Sequence, residues 1–290
     1  MRKEKKIMVS DTLSADMVGT KLEPLDFSWR DKDTMLYALG VGAKPDGELP
    51  FLYEGGNGPQ VLPTYAVIPA MRTLGSVRHV VKLNVQRLLH GEQAFELLRP
   101  LPPKATVKLH SEVSEVWDKG KAGVIGVAGL AEDADGPLFK FHSTLFYLGG
   151  GGFGGDPGPS TKGKNAPPER APDKVIEYVT QPEQGAIYRL SGDRVALHID
   201  PEFAKAAGYD KPFMHGLCTY GFVGRAALHG LCDGDPARFK SMTGRFADRV
   251  QFGDTIISKF WYDGDGAAIV QAEDQNGSVL LSQARVTYVQ

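Results

Sequence analysis

The chain has 290 residues, of which 42% are hydrophobic and 23% are charged, a composition typical of a globular protein with room for one large domain or two small ones. The formal net charge of -2 and the isoelectric point near 6.4 provide no protein-wide positive field, so nucleic acid and anionic membranes are excluded as expected partners. The two cysteines, Cys218 and Cys232, lack the spacing of a zinc site or a disulfide framework, which favours a reducing compartment.

The hydropathy and the two ends of the chain give an expectation about location. The basic start MRKEKKIMVSD is not followed by an apolar segment, and no run of about 18 apolar residues occurs anywhere. The chain ends in TYVQ rather than in a serine-lysine-leucine address. We therefore expect a cytoplasmic protein without membrane insertion.

The first half of the chain, residues 1–148, begins with a strand and a helix. The stretch LDFSWRDKDTMLYALGVGA (25–43) predicts a short strand that runs into a helix, and VLPTYAVIPAM (61–71) follows it. Hydrophobic alternation then predicts a set of antiparallel strands. The strand segments are TVKLHSEVSEVW, AGVIGVAGL and FKFHSTLFYL.

Residues 149–172 differ in composition from the rest of the chain. They begin with GGGGFGGDPGPSTKGKNAPP (149–168), which is rich in Gly and Pro and poor in apolar residues. Such a segment cannot offset its loss of conformational entropy by burial. We therefore predict a surface linker or a long loop between the two halves.

The second half, residues 173–290, repeats the order of the first. VIEYVTQPEQGAIYRLSGD (175–193) again predicts a strand that leads into a helix, and GLCTYGFVGRA (216–226) carries a Thr-Tyr pair in register with that of VLPTYAVIPAM. The segment from Leu217 to Leu228 is apolar nearly all round and precedes a helix-end signal at His229-Gly230, so it predicts a buried helix. The closing strands are ISKFWY, AAIVQA and VLLSQARVTYV.

A sheet wrapped around one central helix, occurring twice, is the hotdog architecture. The repeat therefore predicts an α+β double hotdog, in which two antiparallel sheets are each wrapped around a central helix. We expect the two sheets to join into one continuous sheet.

The bend SGDRVALHIDP (191–201) suggests a shared chemical site. A regular helix or strand would not place Asp193 and His198 on one face, so they can contact one small molecule only if the chain bends. In the register of the repeat Asp193 falls on Gly42, so the first half lacks this pair. Gly216, at the start of the buried helix, offers an unpaired N–H. These groups can add water across a double bond conjugated to a carbonyl.

Three polar residues outside this set are compatible with structural roles. Asp200, which is followed by a proline, is typical of the N-cap of a short helix. His215 directly precedes Gly216 and either contacts a ligand or braces the loop, and the sequence leaves both readings open. We interpret His90, in the half without a catalytic loop, as structural.

Two segments carry a family resemblance. YRLSGDRVALHIDPEFAKAAGYDKPFMHGLCTYG (188–221) resembles the signature of the MaoC-like, type 2 (R-specific) enoyl-CoA hydratases, and LLHGEQAFELLRPLP (88–102) resembles the matching stretch of their two-hotdog members. The resemblance implies reversible hydration of trans-2-enoyl-CoA to (3R)-3-hydroxyacyl-CoA without a metal or other cofactor. It implies Asp193 and His198 as the acid/base pair, Gly216 as the oxyanion donor, and a first half that accommodates the acyl chain.

The resemblance also implies an acyl-CoA as the partner and a monomer or a homodimer as the assembly. One position departs from the family pattern Gly-Asp-x-Asn-Pro-x-His, because Val195 occupies the place of the Asn. In the family this Asn helps to orient the water. Two alternatives therefore accompany the hydratase: an acyl-CoA thioesterase on the same fold, and a non-catalytic binder of acyl-CoA or lipid.

Overall fold

A single antiparallel sheet of ten strands forms the framework of the protein. The computed structural model describes residues 9–56 and 58–290, so most of the basic start of the chain lies outside the described residues. The strands are β1 Leu25–Trp29, β2 Leu88–Leu97, β3 Ala105–Asp118, β4 Ala122–Asp133, β5 Gly136–Leu148, β6 Lys174–Val179, β7 Phe239–Phe246, β8 Thr255–Tyr262, β9 Ala267–Glu273 and β10 Val279–Tyr288. Their order in the sheet is β1-β3-β4-β5-β2-β7-β10-β9-β8-β6.

The strand order shows the internal repeat directly. Reading inward from each edge, the order β1-β3-β4-β5-β2 is matched by β6-β8-β9-β10-β7, so each strand has a counterpart five strands later in the chain. The two halves meet where β2 pairs with β7, from Glu92 opposite Arg245 to Glu96 opposite Ser241. The predicted α+β double hotdog with one continuous sheet is confirmed.

In the described part of the chain, six helices and several short 3-10 turns cover the sheet. The helices are α1 Asp31–Gly40, α2 Pro45–Glu48, α3 Val67–Leu74, α4 Gln184–Tyr188, α5 Pro201–Ala206 and α6 Gly216–Leu231. Among the described residues, no helix combines the length and the apolar character that crossing a bilayer requires.

Helix α6 is the central helix of the second half. It is buried along nearly its whole length, as the apolar sequence predicts, and it packs against β6, β7, β8 and β10. The predicted end at His229-Gly230 is slightly too early, because the helix continues to Leu231. A Cβ at Gly230 would lie 3.0 Å from the side chain of Ile176, so this glycine serves close packing against β6 rather than helix termination.

A buried ion pair links helix α6 to the first half. Nε of Arg225 donates to Glu48 at 2.6 Å, and Nε2 of His229 lies 2.8 Å from the same carboxylate oxygen. The guanidinium also lies over the ring of Tyr178, 3.7 Å from its centroid. Arg225 is only 3% exposed, so its charge is accommodated by these partners rather than by water.

The segment between the halves is a long loop that is attached to the sheet. It contains no helix or strand, but the carboxylate of Asp118 in β3 accepts hydrogen bonds from the N–H groups of Gly152 and Gly154, both at 2.8 Å. The side chain of Asn165 donates to the carbonyl of Gln283 in β10 at 2.9 Å. The loop is therefore held by strands of both halves.

Candidate active site

The loop between α4 and α5 contains the bend that the sequence predicts. It contains two short 3-10 turns, Arg189–Ser191 and Ala196–His198, and residues 192–195 between them begin with Gly192, which has φ of 136°. The carboxylate of Asp200 then caps α5, accepting from the N–H groups of the second and third residues after it at 2.9 and 3.2 Å. The predicted capping role of Asp200 is confirmed.

The bend places Asp193 and His198 together and adds a third group. One ligand atom from each of Asp193, His198 and His215 lies within 4.8 Å of the others. The two imidazole rings are nearly stacked, with centroids 3.9 Å apart and an interplanar angle of 31°. Of the two readings that the sequence left open for His215, bracing of the loop is seen in the hydrogen bond between its Nε2 and the carbonyl oxygen of Asp193. Contact of His215 with a ligand stays a prediction.

Backbone carbonyls determine which nitrogen of each histidine carries the proton. Nδ1 of His198 lies 2.8 Å from the carbonyl oxygen of Phe213, and Nε2 of His215 lies 3.1 Å from that of Asp193. A carbonyl oxygen only accepts, so both of these nitrogens donate in the neutral rings. Nε2 of His198 and Nδ1 of His215 consequently keep their lone pairs.

Burial keeps both histidines uncharged. It lowers the pKa of His198, although the nearby Asp193 carboxylate opposes this effect. Burial, together with the proximity of His198, lowers the pKa of His215 to about 3. Near neutral pH the cluster therefore combines two neutral imidazoles with a carboxylate, and His198 can accept a proton.

Buried neutral histidines give the protein an expected sensitivity to acid. Burial also lowers the pKa of His90 to about 4, from 6.5, so the folded state binds fewer protons than the unfolded chain. The folded state is therefore stabilised relative to the unfolded chain while these histidines are neutral. This stabilisation is fully present above about pH 6.5 and is lost as the pH falls toward 4. We expect the free energy of unfolding to fall by about 1.4 kcal/mol per pH unit for each such histidine.

Urea unfolding at several pH values between 7 and 4.5 measures this slope. His90→Gln is expected to reduce the slope by about one proton per molecule, whereas His110→Gln, at a solvent-exposed position, is the matched control. Equal slopes for the wild type and the His90 variant would contradict the prediction.

Gly216 begins α6 directly after His215. His215 occupies the N-cap position without a side-chain hydrogen bond to the helix, and the N–H of Gly216 has no acceptor among the described residues. A Cβ at Gly216 would lie 3.2 Å from the ring of Phe246. The glycine therefore leaves the helix N-terminus accessible, with its N–H and the positive end of the helix dipole available to a carbonyl oxygen.

The equivalent position in the first half cannot carry an acid. Gly42 has φ of 79°, and a Cβ there would lie 2.7 Å from the ring of Phe222. His90 is separate from the three-residue cluster, and its ring packs edge-on against Phe246, with centroids 4.9 Å apart. Its Nε2 is buried without a hydrogen-bond partner among the described residues.

A small cavity lies between the start of the bend and the first half of the chain. It measures about 100 Å³ and is lined by Leu190 and Ser191 of the loop and by Phe27, Leu36 and Tyr65 of the first half, among others. Residues of both halves thus line this cavity.

Asp193, His198 and His215 are also the described residues that could hold a metal ion. Sequence reasoning did not find this set, because the three side chains come from two segments and meet only in the folded chain. The adjacency of His215 to Gly216 was the one available signal.

Comparisons with known proteins agree with this fold and show the family. Residues 27–149 match the MFE-2 hydratase 2 N-terminal domain, and residues 164–282 match the MaoC like domain. The chain is 38% identical to the enoyl-CoA hydratase ChsH3 of Mycobacterium tuberculosis, over 91% of this chain and 95% of that protein. It is 36% identical to the probable enoyl-CoA hydratase 2 of Dictyostelium discoideum, over 92% and 93% of the two chains. The protein belongs to the family of MaoC-like, type 2 enoyl-CoA hydratases.

The chain is also similar to part of a longer enzyme and to a solved structure. It is 38% identical to the peroxisomal multifunctional enzyme type 2 of Mus musculus, but it spans only 38% of that enzyme. The crystal structure of a MaoC-like dehydratase from Phytophthora capsici superposes with a TM-score of 0.87 at 32% identity, covering 96% of this chain and 98% of that one.

Proposed function

We propose that the protein is a hydro-lyase that adds water to trans-2-enoyl-CoA thioesters and gives (3R)-3-hydroxyacyl-CoA, reversibly, in fatty-acid or related acyl-CoA metabolism. Relatives named as enoyl-CoA hydratases align over nearly the full length of this chain. The observation that carries the proposal is that Asp193 and His198 lie together in the bend, beside His215. The residue after His215 is Gly216, whose N–H has no acceptor among the described residues.

In the proposed reaction, one water molecule lies between Asp193 and His198. Nε2 of His198 accepts a proton from the water as its oxygen bonds to C3 of the substrate. The Asp193 carboxylate accepts a hydrogen bond from the other hydrogen of the water, which stays on the new C3 hydroxyl, and it stabilises the imidazolium that forms. The imidazolium then returns the proton to C2, so the elements of water are added and His198 ends neutral.

The negative charge that develops on the thioester oxygen needs a donor. In the proposed geometry, the N–H of Gly216 supplies it at the positive end of α6. Because proton transfers and this hydrogen bond account for every step, the proposed reaction consumes no cofactor.

Two alternatives on the same fold predict different products. A thioesterase would release CoA and leave the double bond intact. A non-catalytic binder would leave both the thioester and the double bond unchanged. We expect that mixing the protein with a short and a long trans-2-enoyl-CoA removes the enoyl absorbance without releasing free thiol. Thiol release with an unchanged enoyl group, or no reaction with either substrate, would overturn the proposal.

We propose that the first half holds the acyl chain, in the space that begins at the cavity beside Leu190. Leu36→Trp is expected to lower kcat/KM for a long enoyl-CoA by about tenfold or more, with a much smaller effect on a four-carbon substrate. Leu39→Trp on the exposed side of the same helix is the matched control. An equal loss for both chain lengths would refute this assignment of the acyl site.

The proposed assembly is a monomer or a homodimer. Pairing of β2 with β7 joins the two halves within one chain, so the sheet forms without a second copy. Sedimentation equilibrium over a range of concentrations distinguishes one copy from two, and a larger assembly would contradict both forms.

We also propose a cytoplasmic location, on the basis of the free and buried Cys218 and Cys232. Relatives include proteins named as peroxisomal, so cell fractionation with an organelle marker is the appropriate test.

A further inference from the structure

Two hydrogen bonds tie the bend to the segment that leads into α6. Nε2 of His215 donates to the carbonyl oxygen of Asp193 at 3.1 Å, and Nδ1 of His198 donates to the carbonyl oxygen of Phe213 at 2.8 Å. Phe213 and His215 both lie in the segment directly before Gly216, where the helix begins. The two cross-links therefore restrain the distance between the bend and the helix start.

The ring of His198 is also held by packing. Its centroid lies 3.9 Å from that of His215, with an angle of 31° between the planes. Phe213 packs edge-on against the same ring, with centroids 5.2 Å apart and an angle of 86°. A hydrogen bond at Nδ1 and two aromatic neighbours restrict rotation of the ring, as a proton-transfer group requires. They leave Nε2 of His198 as its free nitrogen.

His215 is not suited to take up the proton itself. It is 1% exposed, and its Nδ1 is buried without a hydrogen-bond partner among the described residues, so water does not reach this lone pair. Burial, followed by the proximity of His198 and Arg189, lowers the pKa of His215 to about 3, although its hydrogen bond to Asp193 opposes this effect. A neutral ring beside His198 adds no repulsion when His198 becomes charged.

We propose that His215 is a positioning residue for the hydration reaction. Its Nε2–H holds the backbone of Asp193, its ring packs on the ring of His198, and its backbone occupies the N-cap of α6. One residue therefore relates the acid/base pair to the N–H of Gly216, which receives the developing charge. The catalytic part of this inference rests on the proposed function, whereas the restraint on the ring of His198 does not.

Two variants each remove one of these contacts. His215→Gln keeps an N–H donor for the Asp193 carbonyl but lacks the ring, whereas His215→Phe keeps a ring but lacks the donor. Because a misplacement of about 1 Å can cost about 100-fold in rate, we expect each variant to lower kcat for enoyl-CoA hydration by about tenfold or more and to leave KM within about twofold. Thermal unfolding controls for damage to the fold, and either folded variant is sufficient for the test.

The matched control is His229→Gln, which replaces a histidine in the last turn of the same helix. Its kcat is expected to equal that of the wild type. A second test adds His215→Gln to His198→Gln. Since the ring of His215 acts through that of His198, the second substitution is expected to change the residual rate by no more than about twofold. The same loss in both backgrounds would show that His215 acts through the fold alone and would overturn the inference.

NMR of the imidazole nitrogens in isotope-labelled protein tests the restraint without any substrate. In the wild type we expect His198 to carry its proton on Nδ1, which donates to the carbonyl of Phe213. In His215→Gln we expect a larger share of the Nε2–H tautomer, because the ring of His198 has lost one of its packing partners. This change in a protein without hydratase activity would refute the proposed function alone. Hydration at the wild-type rate by both folded His215 variants would refute the positioning role alone.

Discussion

Replacing Asp193 by Asn is expected to lower kcat for enoyl-CoA hydration by about 10²- to 10⁴-fold. The two side chains have nearly the same shape, so the bend is preserved, but Asn lacks the negative charge that stabilises a protonated His198. Binding of the substrate depends on other surfaces, and KM is expected to change much less than kcat. Stopped-flow loss of the enoyl absorbance measures both quantities.

The comparison variant is His198→Gln, alone and combined with Asp193→Asn. Because the two groups act on one water, the double variant is expected to be about as slow as the slower single variant, rather than slower by the product of the two effects. Thermal unfolding controls for damage to the fold. A folded Asp193→Asn protein with activity near that of the wild type would disprove the assigned role of Asp193.

Replacing Gly216 by Pro is expected to lower kcat by about 10²- to 10³-fold, because it removes the single N–H that receives the developing charge. Proline is tolerated at the first position of a helix, where its missing N–H has no helical partner. His215 before it has φ of -59° and ψ of 138°, which is compatible with a following proline. Helix α6 is therefore expected to form in this variant.

Gly216→Ala provides the matched control. Alanine adds the same Cβ, 3.2 Å from the ring of Phe246, but keeps the N–H. The ratio of kcat between the Ala and Pro variants thus isolates the hydrogen bond from the steric effect. Equal activities of the two variants would show that this N–H does not stabilise the transition state.

The internal repeat explains why so much of the fold could be predicted from one sequence. Both halves use the same periodic signals. Tyr37 and Tyr188, each five residues before the equivalent positions Gly42 and Asp193, lie in contact with ring centroids 6.0 Å apart. The N-cap role of Asp200, which is followed by proline, could also be predicted, because a helix cap depends on residues that are close in sequence. Local signals and a repeated pattern therefore give the architecture.

The features that could not be predicted depend on contacts between distant residues. Arg225 lies in an apolar helix, and its partner Glu48 lies in the other half of the chain. His215 could not be assigned either, because its hydrogen bond to the carbonyl of Asp193 and its contact with His198 arise only when the bend folds against α6. Local sequence patterns carry no information about such pairings.

The fate of the water oxygen tests the central claim most directly. A trans-2-enoyl-CoA is incubated with the protein in oxygen-labelled water, and the product is examined by mass spectrometry and chiral separation. We predict one labelled oxygen at C3, in the (3R) product, with the thioester intact. Label in a free carboxylate, a (3S) or racemic product, or unlabelled starting material would contradict the account.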